Sequence, residues 1–164
     1  MKPANVVLCT DGFTKLVDFG IATAVQPRES HARSEPWAGT PPYMAPERFL
    51  GEEADARADI YAVGAILYEL LTDRTPFVGD TAIEVASQAL TGTLLPLECF
   101  RQDLPSRLTT VVMRALSRAR ASRYASASDM RRALRDVSLE PTAGNSHATR
   151  PEDPPPRTRA VGQV

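Results

Sequence analysis

The sequence predicts a mainly α-helical fold with a small β-hairpin at its beginning. Three patterns support this: short apolar stretches flank an Asp-Gly turn, one long stretch is apolar on nearly every side, and two later stretches have helical periodicity. A chain of 164 residues, 43% of them hydrophobic, is large enough to bury one core. We therefore expect a single folded domain.

The first element is a β-hairpin over residues 6–17. Val6 to Leu8 form one strand, Asp11-Gly12 is a tight-turn signal, and Phe13 to Val17 form the returning strand. Residues 20–44 then carry scattered Ser, Thr, Pro and charged residues without periodicity. They are expected to form a long loop, and long loops inside a domain are usually functional.

The central element is a helix over residues 57–72. From Ile60 on it is apolar on nearly every side, which predicts a helix buried on all sides. Asp73 and the Thr75-Pro76 step are expected to end it.

Capping patterns and periodicity place three further helices. Thr81 and Glu84 are spaced as a capping box before a helix that runs to about Leu90, and Ser126 and Asp129 open the last helix in the same way. A helical stripe lies between them at Leu108, Val111, Val112, Ala115 and Leu116. The inner face of the last helix is expected at Met130, Ala133, Leu134 and Val137.

The composition changes after Ser138. Residues 139–164 contain five prolines, mixed charge and few apolar side chains, which predicts a disordered tail. We therefore divide the chain into a domain of residues 1–138 and a tail of residues 139–164.

Charge and composition argue against several classes of function. A net charge of -1 gives no general attraction to nucleic acid or to an anionic membrane. Cys9 and Cys99 lack metal-ligand spacing, and His31 and His147 lack candidate ligand partners nearby. The N-terminus has no signal-peptide pattern, and the most apolar stretch is too short to cross a bilayer. We expect a cytoplasmic protein that binds neither nucleic acid nor membrane.

Four motifs follow one another in a fixed order: Lys-Pro-Ala-Asn at 2–5, Asp-Phe-Gly at 18–20, Gly-Thr-Pro-Pro-Tyr-Met-Ala-Pro-Glu at 39–47, and Asp-Ile-Tyr-Ala-Val-Gly at 59–64. In this order and at these separations, they resemble the C-terminal lobe of protein serine/threonine kinases, most closely the bacterial eukaryotic-like kinases. The resemblance covers residues 1–138. It implies a protein-kinase-like fold, truncated to the C-terminal lobe.

The resemblance implies a phosphoryl-transfer site that uses ATP and Mg²⁺. Asp18 and Asn5 would bind the metal through oxygen atoms, and Lys2 would offset the charge of the transferred phosphoryl group. Thr40 would mark serine/threonine specificity, and Val7 would lie under the adenine ring. The residues alone leave simpler alternatives open: Asp18 as a turn former before Gly20, and Lys2 and Asn5 as part of a solvated N-terminus.

Other residues are expected to be architectural or regulatory. The resemblance implies a buried ion pair between Glu47 and Arg123, although the stretch 118–123 lacks the Asp-Pro that often precedes this arginine in the family. Asp59 would bond to the backbone of the catalytic loop. Ser30 and Ser34 are candidate phosphosites in the activation loop.

Several parts of the kinase signature do not occur in these 164 residues. The sequence has no glycine-rich loop, no strand lysine with its helix glutamate, and no His-Arg-Asp before Lys2. We therefore expect the chain as it stands to be inactive. We also expect the helix at 57–72 to expose an apolar face that a partner would cover.

Three interpretations of the chain stay open. It could be part of an active kinase that acts on protein substrates, with Met1 an internal methionine taken as a start. It could be a non-catalytic kinase-like interaction module, or the product of a degraded gene.

Overall fold

The computed structural model describes residues 1–17 and 40–138. Asp18, Ser30, Ser34, the tail at 139–164 and most of the expected loop at 20–44 lie outside the described residues. The described end of that loop differs from the prediction, since Pro41–Tyr43 form a 3-10 turn.

The chain opens with the predicted β-hairpin. Strand β1 (Val6–Leu8) pairs antiparallel with β2 (Thr14–Leu16), in a register that sets Val6 opposite Leu16. Gly12 takes a positive φ of 83° in the turn, a conformation that glycine adopts without a Cβ clash. The Phe13 backbone N–H donates to Asp11 Oδ1 (3.0 Å) and helps to close the turn.

Five helices make up most of the remaining described chain, which confirms the mainly α fold class. Their bounds are α1 Pro46–Phe49, α2 Ala56–Thr72, α3 Ala82–Thr91, α4 Ser106–Ala115 and α5 Ala127–Ser138. Further 3-10 turns lie at Pro3–Asn5, Leu97–Cys99 and Arg120–Ser122. None of the described helices combines the length and apolar character needed to span a bilayer.

Local side chains start the helices where the sequence predicts. Thr81 Oγ1 accepts a hydrogen bond from the Glu84 backbone N–H (3.2 Å), and Ser126 Oγ accepts one from the Asp129 backbone N–H (3.2 Å). Both bonds satisfy a donor that a helix N-terminus otherwise leaves unpaired. At the other end of α2, Asp73 takes a left-handed φ of 56° and ends the helix.

Helix α2 is the centre of the core, and α4 packs closely against it. Tyr61, Ala65 and Val112 are among the most deeply buried side chains. At Gly64 a Cβ would lie 2.9 Å from Ala115 Cβ, so the two helices approach more closely than an alanine there would permit.

The prediction that α2 is buried on all sides is wrong. Leu70 is 70% exposed, and Val63 and Leu67 are only half-buried. Helix α2 has more apolar surface than α4, α5 and the preceding segment cover. Part of that surface therefore lines an open cleft.

Candidate functional site

A cleft of about 710 Å³ lies between the N-terminal turn, the end of the hairpin, α2 and α5. We call it the N-terminal cleft. It brings together four of the residues that the sequence singles out: Lys2, Asn5, Thr40 and Asp59. Its other walls are mainly apolar and include Leu16, Val17, Ile60, Val63, Met130 and Leu134.

Asn5 links the N-terminal turn to the end of the hairpin. It is buried, and its Oδ1 accepts a hydrogen bond from the Lys2 backbone N–H (3.2 Å). The Val17 backbone N–H donates to the Asn5 carbonyl oxygen (2.8 Å). This bond places Val17, the residue before the Asp-Phe-Gly motif in the sequence, beside Asn5.

Two of the sequence-predicted residues, Val7 and Asp59, do not have the surroundings that the other predicted site residues share. Val7 lies on β1, is 43% exposed and is not part of the N-terminal cleft wall. Asp59 is exposed in the cleft, and within the described residues no hydrogen bond joins it to the backbone at 1–5, where the resemblance implies one.

Glu47 and Arg123 form a buried, bidentate ion pair. Arg123 Nη1 donates to Glu47 Oε1 and Arg123 Nη2 to Glu47 Oε2, both at 2.7 Å, with the residues 2% and 5% exposed. This parallel geometry is the strong form of a carboxylate–guanidinium contact. It joins the two residues for which the resemblance implies a pair, although the Asp-Pro before Arg123 is missing.

Arg123 also fixes three carbonyl groups and lies against an aromatic ring. Its guanidinium donates to the carbonyl oxygens of Ser117, Arg57 and Arg118. Its Cζ lies 4.9 Å from the centre of the buried Tyr61 ring, within the range of a cation–π contact. The end of the segment Thr40 to Glu47, which we call the 40–47 segment, is therefore attached both to α2 and to the turn before α5.

The comparison with known proteins decides the family. The sequence model of the protein kinase domain matches residues 1–133. The chain belongs to the protein kinase family. This confirms the resemblance carried by the four motifs, and the described helices and hairpin form part of a kinase-like fold.

Bacterial serine/threonine kinases are among its similar relatives. The chain is 36% identical over 131 residues to the serine/threonine-protein kinase PknB of Mycobacterium leprae and 36% identical over 132 residues to a probable PknB of Bifidobacterium longum. It is 39% identical over 132 residues to a probable serine/threonine-protein kinase of Streptomyces coelicolor. Each match covers 80% of the chain and 21%, 19% and 20% of these relatives, so the chain spans about a fifth of their length.

Kinases generally use Mg²⁺ together with ATP, and the donor chemistry here fits that ion. The Asn5 amide oxygen, which accepts a hydrogen bond from the Lys2 backbone N–H, is an oxygen donor of the kind that Mg²⁺ prefers. Asn5 is bonded through its backbone to Val17, the residue before Asp18 in the sequence. The carboxylate of an aspartate is a hard oxygen donor. Within residues 1–17 and 40–138, no three His, Cys, Asp or Glu side chains form a metal-binding group.

Sequence reasoning missed one contact of the 40–47 segment. The Tyr43 hydroxyl donates to Glu69 Oε2 (2.7 Å), across 26 positions of sequence. Burial, the hydrogen bond to Glu69 and the charge of Glu69 raise the pKa of the Tyr43 hydroxyl to about 12. Nothing in the spacing of these residues indicates the contact, because it depends on how the turn at Pro41–Tyr43 lies across α2.

Acid is expected to weaken the folded chain through Glu47. Burial raises the pKa of its carboxyl, but the hydrogen bonds and charge of Arg123 outweigh burial and hold that pKa below its ordinary value of 4.5. The unfolded chain therefore binds the proton more tightly than the folded one. This contribution to stability is present above about pH 4.5 and is lost as the pH falls through the lower, folded pKa.

Urea unfolding between pH 7 and pH 3 measures this effect. The matched control is the double variant Glu47→Gln with Arg123→Met, which removes both charges and should show a shallower loss of stability in acid. An equally steep acid dependence in the double variant would assign the effect to other carboxylates.

Proposed function

We propose that this chain is part of the catalytic domain of an ATP-dependent protein serine/threonine kinase, which transfers a phosphoryl group to Ser or Thr side chains of proteins. The observation that carries the proposal is the meeting of Lys2, Asn5 and Thr40 at one cleft, beside the residue that precedes Asp18. A kinase needs a phosphate-facing cation, metal-binding oxygens and a substrate-facing hydroxyl at one place, because positioning and charge neutralisation supply most of its catalysis.

The proposal assigns a role to each of the predicted site residues. When bound, Mg²⁺ neutralises and orients the ATP phosphates. Asn5 and Asp18 hold that ion through oxygen atoms. Lys2, which is exposed at the cleft, places its ammonium group beside the transferred phosphoryl group. Thr40 orients the hydroxyl-bearing substrate, and Val7 contacts the adenine ring from its exposed position on β1.

The architecture around these groups follows the same proposal. The ion pair between Glu47 and Arg123 fixes the far end of the 40–47 segment, and Asp59 lines the cleft together with Lys2. Ser30 and Ser34 stay candidate phosphosites. The kinase part covers residues 1–138, a division supported by the family match to residue 133, and residues 139–164 form a tail. The need for ATP favours a cytoplasmic location.

The 164 residues by themselves are expected to have no phosphotransfer activity. They contain no glycine-rich loop, strand lysine or catalytic aspartate, and losing even one stabilising group of an active site commonly costs about 3–4 kcal/mol of barrier.

The test has two parts. Peptide mass spectrometry of the endogenous protein first establishes whether a His-Arg-Asp sequence precedes Lys2. Phosphotransfer from radiolabelled ATP is then measured for the endogenous protein, its Asp18→Asn variant and an Asp103→Asn control, in which an exposed carboxylate remote from the cleft is changed. We expect activity that only Asp18→Asn abolishes. Activity of the 164-residue chain above its own Asp18→Asn background would contradict the expected inactivity.

A second function is favoured by the apolar cleft wall. Leu16 and Val17, which are 45% and 43% exposed, and the half-buried Val63 and Leu134 form a surface that a partner could cover, as expected of a non-catalytic interaction module. Under this alternative, the endogenous protein begins near Lys2, binds a partner stably and shows no phosphotransfer. A Val63→Asp variant, which places a charge on the cleft wall, would then lose the partner.

A further inference from the structure

The 3-10 turn at Arg120–Ser122 is attached to the linker between α1 and α2, residues 50–55, which we call the 50–55 linker. Arg120 Nη1 donates to the Glu53 carbonyl oxygen (2.8 Å), across 67 positions of sequence. The same nitrogen lies 4.0 Å from a carboxylate oxygen of Asp55, the residue that caps α2. An arginine suits this place, because one guanidinium group supplies both a hydrogen-bond donor for the carbonyl group and a charge that faces the carboxylate.

Arg123, the residue after this turn, holds the chain on either side of the same linker. Its guanidinium pairs with Glu47 in α1 and donates to the Arg57 carbonyl oxygen (3.1 Å) in α2. Arg120 and Arg123 therefore hold one continuous stretch at three points, with Glu53 in the middle. The Arg123 backbone N–H also donates to the Arg120 carbonyl oxygen (3.3 Å), so a shift of the turn would move Arg123 as well.

The start of the turn has no side-chain cap of its own. Ala119 is the N-cap residue, and its ψ of 116° lies in the extended region that a residue before proline adopts. An Asp-Pro step at positions 119 and 120 would fit this backbone. The aspartate would cap the turn, and the proline would preset φ at a first position whose N–H the turn itself does not use. The chain thus keeps a backbone shape suited to Asp-Pro without either residue.

We propose that Arg120 is a positioning residue that takes the place of an Asp-Pro step: it holds the turn on the 50–55 linker and so keeps Arg123 aimed at Glu47. The attachment itself does not depend on the function proposed above. Its consequence for the cleft rests on that function, because the Glu47 pair fixes the far end of the 40–47 segment.

Urea unfolding of the 164-residue chain at pH 7 and at pH 3 tests this positioning. In Arg120→Met, the unfolding equilibrium constant at pH 7 should rise roughly 2- to 10-fold, the range expected for loss of one hydrogen bond. A loosened pair with Arg123 would also leave the pKa of the Glu47 carboxyl closer to its ordinary value of 4.5. The loss of stability between pH 7 and pH 3 should therefore become shallower.

Ala119→Asn with Arg120→Pro is the rescue variant. Asparagine caps as well as aspartate does but does not titrate, and proline has neither the charge of Arg120 nor its bond to Glu53. Return of the steep acid dependence in this variant would show that the position of the turn matters and not the charge of Arg120. An acid dependence as shallow as that of Arg120→Met would overturn the role as a substitute for an Asp-Pro step.

Arg118→Met is the matched control. Arg118 belongs to the same stretch of sequence, but its guanidinium donates to the Gly92 carbonyl oxygen at the end of α3 and not to the 50–55 linker. This variant also loses an arginine–carbonyl bond, yet it should keep the steep acid dependence of the unchanged chain. The same acid dependence in Arg118→Met, Arg120→Met and the unchanged chain would overturn the inference.

Kinetics of the endogenous kinase test the consequence for the 40–47 segment. Arg120→Met should lower kcat for a protein substrate and leave the KM for ATP unchanged, and Ala119→Asn with Arg120→Pro should restore kcat. A shallower acid dependence in Arg120→Met, together with no phosphotransfer by the unchanged protein, would reject the proposed function and keep the attachment. An unaltered kcat in Arg120→Met, in an active kinase, would reject the effect on the segment.

Discussion

Replacing Arg123 with methionine is expected to destabilise the chain by about 3–5 kcal/mol, because the substitution leaves a buried carboxylate without its partner. Glu47 is 5% exposed and would have to remain charged without a cation or take up a proton. The carbonyl groups of Ser117, Arg57 and Arg118 would lose donors as well. Chemical denaturation at pH 7 measures the change in the free energy of unfolding.

An exposed pair with the same distance provides the control. Arg101 and Asp103 are also joined at 2.7 Å, but their side chains are 46% and 68% exposed. Arg101→Met should therefore change stability little, since water replaces the lost partner. The double variant Glu47→Gln with Arg123→Met should be less destabilised than the two single changes added together. Similar costs for Arg123→Met and Arg101→Met would show that burial does not set the strength of the Glu47 pair.

Sequence reasoning predicts the parts of this fold that depend on near neighbours in the chain. The hairpin follows from the Asp11-Gly12 turn, and α3 and α5 start where Thr81 and Ser126 can bond a backbone N–H three residues on. Each signal lies within a few residues of the element that it starts, so no knowledge of distant packing is needed.

Contacts between distant residues were predictable only where the family resemblance supplied them. It implied the pair between Glu47 and Arg123, which are 76 positions apart, but it gave no indication of the Tyr43–Glu69 bond. Two further arginines bond to distant carbonyl groups, Arg118 to Gly92 and Arg120 to Glu53, and no local pattern marks either contact. The apolar sequence of α2 likewise shows that the helix is hydrophobic, but it does not predict which neighbouring elements cover the helix.

The second large expected effect is a loss of stability when the close contact between α2 and α4 is overpacked. Replacing Gly64 with valine should destabilise the chain by about 3 kcal/mol, the upper part of the range for overpacking a core. Even the first added carbon would lie 2.9 Å from Ala115 Cβ and 3.2 Å from Leu116 Cγ, so one of the two helices would have to move. Thermal and urea unfolding of the variant measure the loss, and circular dichroism checks that the helices still form.

Smaller changes at the same contact separate crowding from helix propensity. Alanine is favoured over glycine by about 1 kcal/mol inside a helix, so propensity alone predicts that Gly64→Ala stabilises the chain. Crowding against Ala115 predicts the opposite sign. Adding Ala115→Gly removes the crowding methyl group from α4, so the double variant should be more stable than the sum of the single changes by roughly 0.5–3 kcal/mol. A stabilising Gly64→Ala with no coupling to Ala115→Gly would mean that the helices have room to spare, and that Gly64 is not what sets their distance.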